Sequence, residues 1–121
     1  MPVILQAEET TVIREGDGWQ EIALADTNTF GTEAMIARRW VLEPNRRGPE
    51  MVHGPTDQLL YVIQGAGTAV VDNQPLALTE ECILWLEPGE TYQFIAGEAG
   101  LDILQGYAVF EGDNMNTRSS L

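Results

Sequence analysis

A chain of 121 residues, 44% hydrophobic and 21% charged, has the length of one domain and the composition of an ordinary globular protein, able to bury roughly two thirds of the surface its unfolded form exposes. Its charge is one-sided: 19 acidic side chains face six arginines and no lysine, for a net charge of -13, so phosphate backbones and anionic lipid surfaces are repelled and Schiff-base chemistry on a side-chain amine is excluded. Cys82 is the only cysteine, which rules out an intramolecular disulfide and a zinc site built on cysteines. Neither nucleic acid nor a membrane is an expected partner. The apolar run Val3-Ile4-Leu5 gives way to Glu8-Glu9, unlike a signal peptide, and no apolar run has the length of a bilayer span, so a cytoplasmic setting is expected.

Taken in chain order, the sequence reads as strands. Thr10 to Arg14 has β-branched character and is broken by Gly16-Asp17-Gly18. Trp19 to Ala25 alternates, with Trp19, Glu21 and Ala23 set against Gln20, Ile22 and Leu24. Glu33 to Leu42 has the Ala, Met and Arg content of a helix, but it alternates strictly and is followed by Glu43-Pro44-Asn45; it is assigned as a strand. Gln58 to Gln64 carries Leu60 and Val62 on one face and Leu59, Tyr61 and Ile63 on the other, which predicts a strand covered on both faces. Glycines at 65 and 67 suggest a tight bend before a separate strand over Thr68 to Val71, and Asp72-Asn73 a turn. Pro75 to Leu78, Ile83 to Leu86, Thr91 to Ile95 and Leu101 to Phe110 continue the pattern, with Cys82 read as a small buried residue. Trp85, Phe94 and Tyr61 are read as core or interface aromatics. Short strands about ten residues apart with Gly, Pro and Asn between them predict an all-β sandwich or barrel. The polar tail over 112–121 is expected to fray unless a partner chain covers it.

The stretch from Gly48 to Phe94 resembles the cupin superfamily, specifically a small single-domain cupin. Its first motif runs Gly, a short gap, His-x-His, three or four residues, Glu, six residues, Gly; the second includes Pro-x-Gly, two residues, His. Counting back from Gly65 puts Gln58 at the Glu position, His53 at the second His and Met51 at the first. In the second motif Glu87 stands at the proline position, Gly89 is kept and Tyr92 replaces the His. The resemblance covers roughly 34–108 and implies a single domain over 1–121, a double-stranded β-helix (jelly-roll barrel) with N-terminal strands over 2–25. Cupins generally hold a metal with three His and one Glu inside the barrel. Here two of the three imidazoles are missing, and a thioether and a neutral amide are poor ligands for borderline divalent ions. No metal or other cofactor is therefore expected.

What the resemblance leaves is a mostly apolar lumen into which Met51, His53, Gln58 and Tyr92 point, the usual make-up of a small-molecule site. The family's pattern also turns Ile36, Arg38, Trp40 and Leu42 inward. Arg38 then holds a ligand anion, unless it lies on the outer face or pairs with a structural carboxylate, and Trp40 walls the pocket. His53 and Tyr92 are the candidate acid and base for isomerase, cyclase or lyase chemistry, with Met51, Gln58, Arg38 and Trp40 as ligand contacts. Two alternatives stay open: a metal-dependent cupin enzyme (dioxygenase or isomerase) with atypical ligands, and a non-catalytic sensor or interaction protein. A homodimer is expected, since an open barrel leaves edge strands and the apolar segments Val3-Ile4-Leu5 and Thr11-Val12-Ile13 suit a neighbour.

Overall fold

The computed structural model describes residues 3–31 and 34–109. The tail assigned to 112–121 lies outside the described residues. After a single 3-10 turn at Ala7–Glu9 come eight strands: β1 (Thr11–Gly16), β2 (Trp19–Ala25), β3 (Met35–Leu42), β4 (Met51–Val52), β5 (Gln58–Val71), β6 (Gln74–Leu78), β7 (Ile83–Leu86) and β8 (Thr91–Ala108). Every pairing is antiparallel, in the order β1-β2-β3-β8-β5-β6, with β4 joined to β8 and β7 to β5. The fold is an all-β, cupin-type jelly-roll barrel.

Two expected pairs of strands are each one strand. Gln58–Gln64 and Thr68–Val71 merge into β5, and the segments beginning at Thr91 and Leu101 merge into β8. The reason lies at the glycines. From Gln58 to Gly65, β5 pairs with Leu101 to Tyr107; from Gly67 to Val71 it pairs with Tyr92 to Ala96, with register shifts between the two halves. A Cβ on Gly65 would lie 2.2 Å from the Gly100 carbonyl oxygen, and one on Gly67 would lie 2.2 Å from that of Ile95. Gly65 also has φ +90°, which side-chain-bearing residues rarely adopt. The glycines let the paired strands bend together without losing their ladder. The half of this ladder nearer Gln58 is flanked by β3 and β7, and the half nearer Val71 by β4 and β6. One strand pair thus contributes to both ends of the topology.

The ambiguous segment is β3, whose inward set is Ile36, Arg38, Trp40 and Leu42, all buried. Its helix-forming residues yield to a ladder on each side, with β2 and β8. Asp72 and Asn73 have φ +48° and +67°, the two positive values of a type I′ hairpin turn between β5 and β6. Trp40, Leu60, Leu86, Tyr92, Phe94 and Ile103 anchor the core. The N-terminal strands begin at Thr11; Val3 to Leu5 form none.

Only one face of β5 is covered, contrary to expectation. Leu60 and Val62 are buried, but Leu59 and Ile63 are exposed, as are their neighbours Trp85 (59% exposed) and Ile83 (65%) on β7. On this outer face only Tyr61, between Leu59 and Ile63, is half-buried. The second apolar set therefore forms a surface, and Trp85 belongs to that surface instead of the core. Cys82 is half-buried, packed against the core beside Leu84.

Candidate functional site

Four inward side chains from three strands meet in one hydrogen-bonded chain. Trp40 of β3 donates its indole Nε1–H to Gln105 Oε1 of β8 at 2.8 Å. The Nε2 of Gln105 donates to Gln58 Oε1 of β5 and to Tyr92 Oη, on the other half of β8, at 3.0 Å. All four are essentially inaccessible to solvent. Period-two alternation explains the convergence: Leu101, Ile103, Gln105 and Tyr107 share the inward face of β8, and Gln58 shares that of Leu60 and Val62. Around the chain the packing is aromatic, with ring centroids 5.8 Å apart for Trp40 and Phe94 and 5.6 Å for Tyr92 and Phe94. Gln58 Nε2, by contrast, is buried with no hydrogen-bond partner among the described residues.

A second, charged cluster adjoins this chain. Arg14 of β1 lays its guanidinium over Trp19 and Trp40, 5.7 and 5.8 Å from the ring centroids, a cation–π arrangement. Its Nη2 donates to Met51 Sδ at 2.9 Å and its Nε to Glu21 Oε1 at 2.8 Å. Glu21 is itself buried on β2 and lies 3.6 Å from Arg38 Nε, an ion-pair distance too long for a hydrogen bond. Arg38 Nη1 reaches Asp26 at 3.3 Å. Two guanidiniums therefore face two carboxylates. On the other face of β3, Arg39 grips Asp102 with two hydrogen bonds of 2.8 and 2.6 Å, and that carboxylate raises the guanidinium pKa further above its already high ordinary value.

His53 is buried just beyond β4. Its Nε2 lies 3.5 Å from Thr56 Oγ1, and its ring meets Tyr107 edge-on at 4.9 Å. Thr56 and Tyr107 in turn line an open groove of about 500 Å³ together with Pro55, Leu59, Trp85 and Pro88.

Of the residues expected at the site, Trp40, Gln58 and Tyr92 are joined, through Gln105. Met51 faces Tyr92 directly across the β4–β8 pair but bonds to Arg14. Arg38 points inward and pairs with structural carboxylates, the less eventful of its two expected roles. Gln105, Arg14 and Glu21 are not among the residues expected from the sequence. Gln105 had a visible signal, as the one amide in an inward set of β8 that is otherwise aliphatic or aromatic. Glu21 shares its strand face with Ala23, but Arg14 lies on a strand whose residues are all exposed and carries no such mark. Among the described residues no three His, Cys, Asp or Glu side chains gather as a metal-binding group, and no helix is long and apolar enough to cross a membrane.

Jelly-roll topology around this buried polar chain defines a small cupin. Residues 42–109 match the family model of the AraC-like ligand binding domain, more than half of the chain, and the protein belongs to that family. No curated protein matches the sequence. Among solved structures, KdgF from Halomonas sp. is 17% identical, with 93% of this chain and 98% of that one covered at a TM-score of 0.75. An RmlC-like cupin from Shewanella frigidimarina is also 17% identical, covering 93% and 96% at 0.73. The polyketide cyclase RemF from Streptomyces resistomycificus is again 17% identical, covering 100% and 94% at 0.74. At such identities these likenesses concern the fold.

Proposed function

We propose that the lumen binds a small organic molecule without the metal common among cupins. The observation that carries this reading is Gln58 Nε2, a buried donor with no partner among the described residues, at the end of a hydrogen-bonded chain of buried polar groups. A buried polar group left unpaired costs on the order of 1–3 kcal/mol, and a ligand or a bound water supplies what is missing. The ligand-binding family to which the chain belongs supports the same reading. The donor set does not fit a divalent cation. Met51 Sδ faces the Arg14 guanidinium, Gln58 Oε1 is taken by Gln105, and Tyr92 Oη accepts from Gln105, so the atoms at three of the family's four ligand positions are already engaged and one imidazole, His53, is left to hold a metal.

Acid–base turnover of the isomerase, cyclase or lyase type is the second reading, favoured by the buried His53 imidazole. An imidazole is the side chain best suited to exchange protons near neutral pH. One structural neighbour is named a polyketide cyclase, which is chemistry of that kind. Elemental analysis of the purified protein is expected to give far less than one equivalent of transition metal. Tyr92→Phe is expected to weaken ligand binding while folding is kept, because Gln105 retains Trp40 and Gln58 as partners. A stoichiometric metal that disappears in His53→Ala would overturn the metal-free reading.

The same proposal extends to a homodimer. Leu59, Ile63, Ile83 and Trp85 form an exposed apolar face with no charged residue between them in the β5–β7 pairing. In a chain of net charge -13 an uncharged face is where a second copy can approach without repulsion. Light scattering is expected to give twice the chain mass, and Trp85→Asp is expected to shift it to one chain mass. A monomer at all concentrations would end this idea.

A further inference from the structure

We infer that the ligand presents a neutral hydrogen-bond acceptor, a carbonyl oxygen on an apolar body, to Gln58 and Tyr92. This rests on the ligand-binding reading above and adds the ligand's polarity. The argument begins at Trp40, whose indole nitrogen can only donate. The amide atom of Gln105 at 2.8 Å from it is therefore the oxygen, and the opposite end of that amide is the NH2. Its two hydrogens go to Gln58 and to Tyr92 Oη. Gln58 must then meet Gln105 with its own oxygen, which turns its NH2 away from the protein. Amide orientation is ordinarily ambiguous, but here either flip sets a donor against a donor. Turning Gln105 brings NH2 to the indole N–H; turning Gln58 brings NH2 to NH2. Tyr92 Oη is an acceptor in this chain, and its own hydrogen bonds to no described residue. The groups left without a partner at this end of the chain, the Gln58 NH2 and the Tyr92 hydroxyl hydrogen, are therefore donors.

Charge selects among acceptors. Arg38 keeps a buried Nε–H with no hydrogen bond, but the two guanidiniums of the adjoining cluster, Arg14 and Arg38, are balanced in charge by Glu21 and Asp26, so a carboxylate entering beside them would be a third anion against two cations. A neutral carbonyl loses less on leaving water and asks for no counter-charge. The side chains beside these donors, Trp40, Phe94 and Tyr92, are aromatic and packed on one another, which suits an apolar body.

Three probes of similar ring size separate the possibilities: acetophenone, a neutral acceptor; benzoate, an anionic acceptor; and indole, a donor. Titrations of 15N-labelled protein follow the Gln58 side-chain NH2 signals, identified by their loss in Gln58→Leu. Acetophenone is expected to move those signals and to bind about tenfold more tightly than either other probe, equivalent to about 1.4 kcal/mol. Gln58→Leu is expected to remove the advantage. Gln58→Glu, which puts an acceptor where the donor was, is expected to shift the preference towards indole. Signal dispersion in each variant reports that it is folded. Indole or benzoate binding as tightly as acetophenone, with the Gln58 signals moving, would overturn the acceptor assignment and leave lumen binding standing. Failure of all three probes to move any lumen signal would overturn both readings.

Discussion

Replacing Met51 and Tyr92 together with histidine is expected to give a lumen that binds a transition metal stoichiometrically. The two positions face each other directly across β4 and β8, and His53 lies two residues beyond Met51. The double variant therefore offers three imidazoles beside the Gln58 amide, a set in which nitrogen donors dominate, as zinc and nickel prefer. The change also removes obstacles. It deletes the thioether that holds Arg14, and it deletes the hydroxyl that accepts from Gln105. Arg14 remains as a competing cation. Unit charges about 4 Å apart repel by about 4 kcal/mol at an effective dielectric of about 20, and less where the guanidinium is half-exposed, as here. Adding Arg14→Ala is accordingly expected to tighten binding further. Calorimetric titration with zinc, and elemental analysis after dialysis, report the outcome. A double variant that stays metal-free would show that Met51, His53 and Tyr92 do not share the lumen in the way the cupin register requires.

That register was legible because alternation is a local property of the chain. Ile36, Arg38, Trp40 and Leu42, and likewise Gln58, Leu60 and Val62, fall on the buried side because successive strand residues point to opposite faces. The number of strands was less legible. Gly65 and Gly67 look like a break in the sequence, whereas what they permit is a close approach to Gly100 and Ile95, residues far along the chain that no local pattern names. The outer face of β5 shows the same limit. Leu59, Tyr61 and Ile63 alternate as a buried set would, and whether anything lies over them is a matter of tertiary arrangement. Within the site, Gln58 and Tyr92 stood out through the family's motif. Gln105, which joins them, stands outside both motifs. Arg14 reaches Met51 only because the β1–β2 hairpin packs beside β3, and its exposed strand gives no hint of that contact.

The largest loss of stability is expected at Glu21, for electrostatic reasons. Its carboxylate is buried to 3% exposure and is shared by Arg14 at 2.8 Å and Arg38 at 3.6 Å. Arg38 is nearly as buried and keeps only Asp26 once Glu21 is gone. Breaking a buried ion pair from one side costs about 3–5 kcal/mol, because the remaining charge stays out of water without its partner. Glu21→Ala is placed at about 3 kcal/mol, since Arg14 is half-exposed and recovers solvation, and Asp26 still answers Arg38. At roughly 4 °C per kcal/mol for a domain of this size, the thermal midpoint falls by about 12 °C. The contrasting case is Asp102→Ala. It breaks the shorter, doubly hydrogen-bonded pair with Arg39, but Arg39 is half-exposed and regains water, so the loss should stay near 1 kcal/mol. Urea denaturation of both variants tests the ordering. If Glu21→Ala loses no more than Asp102→Ala, the cluster is solvated like an ordinary surface pair. If it loses several-fold more, Arg38 is held by structural carboxylates, and freeing it has a chemical consequence. In Glu21→Gln the buried guanidinium is only half neutralised, so benzoate binding is expected to rise above that of the parent protein while acetophenone binding is unchanged.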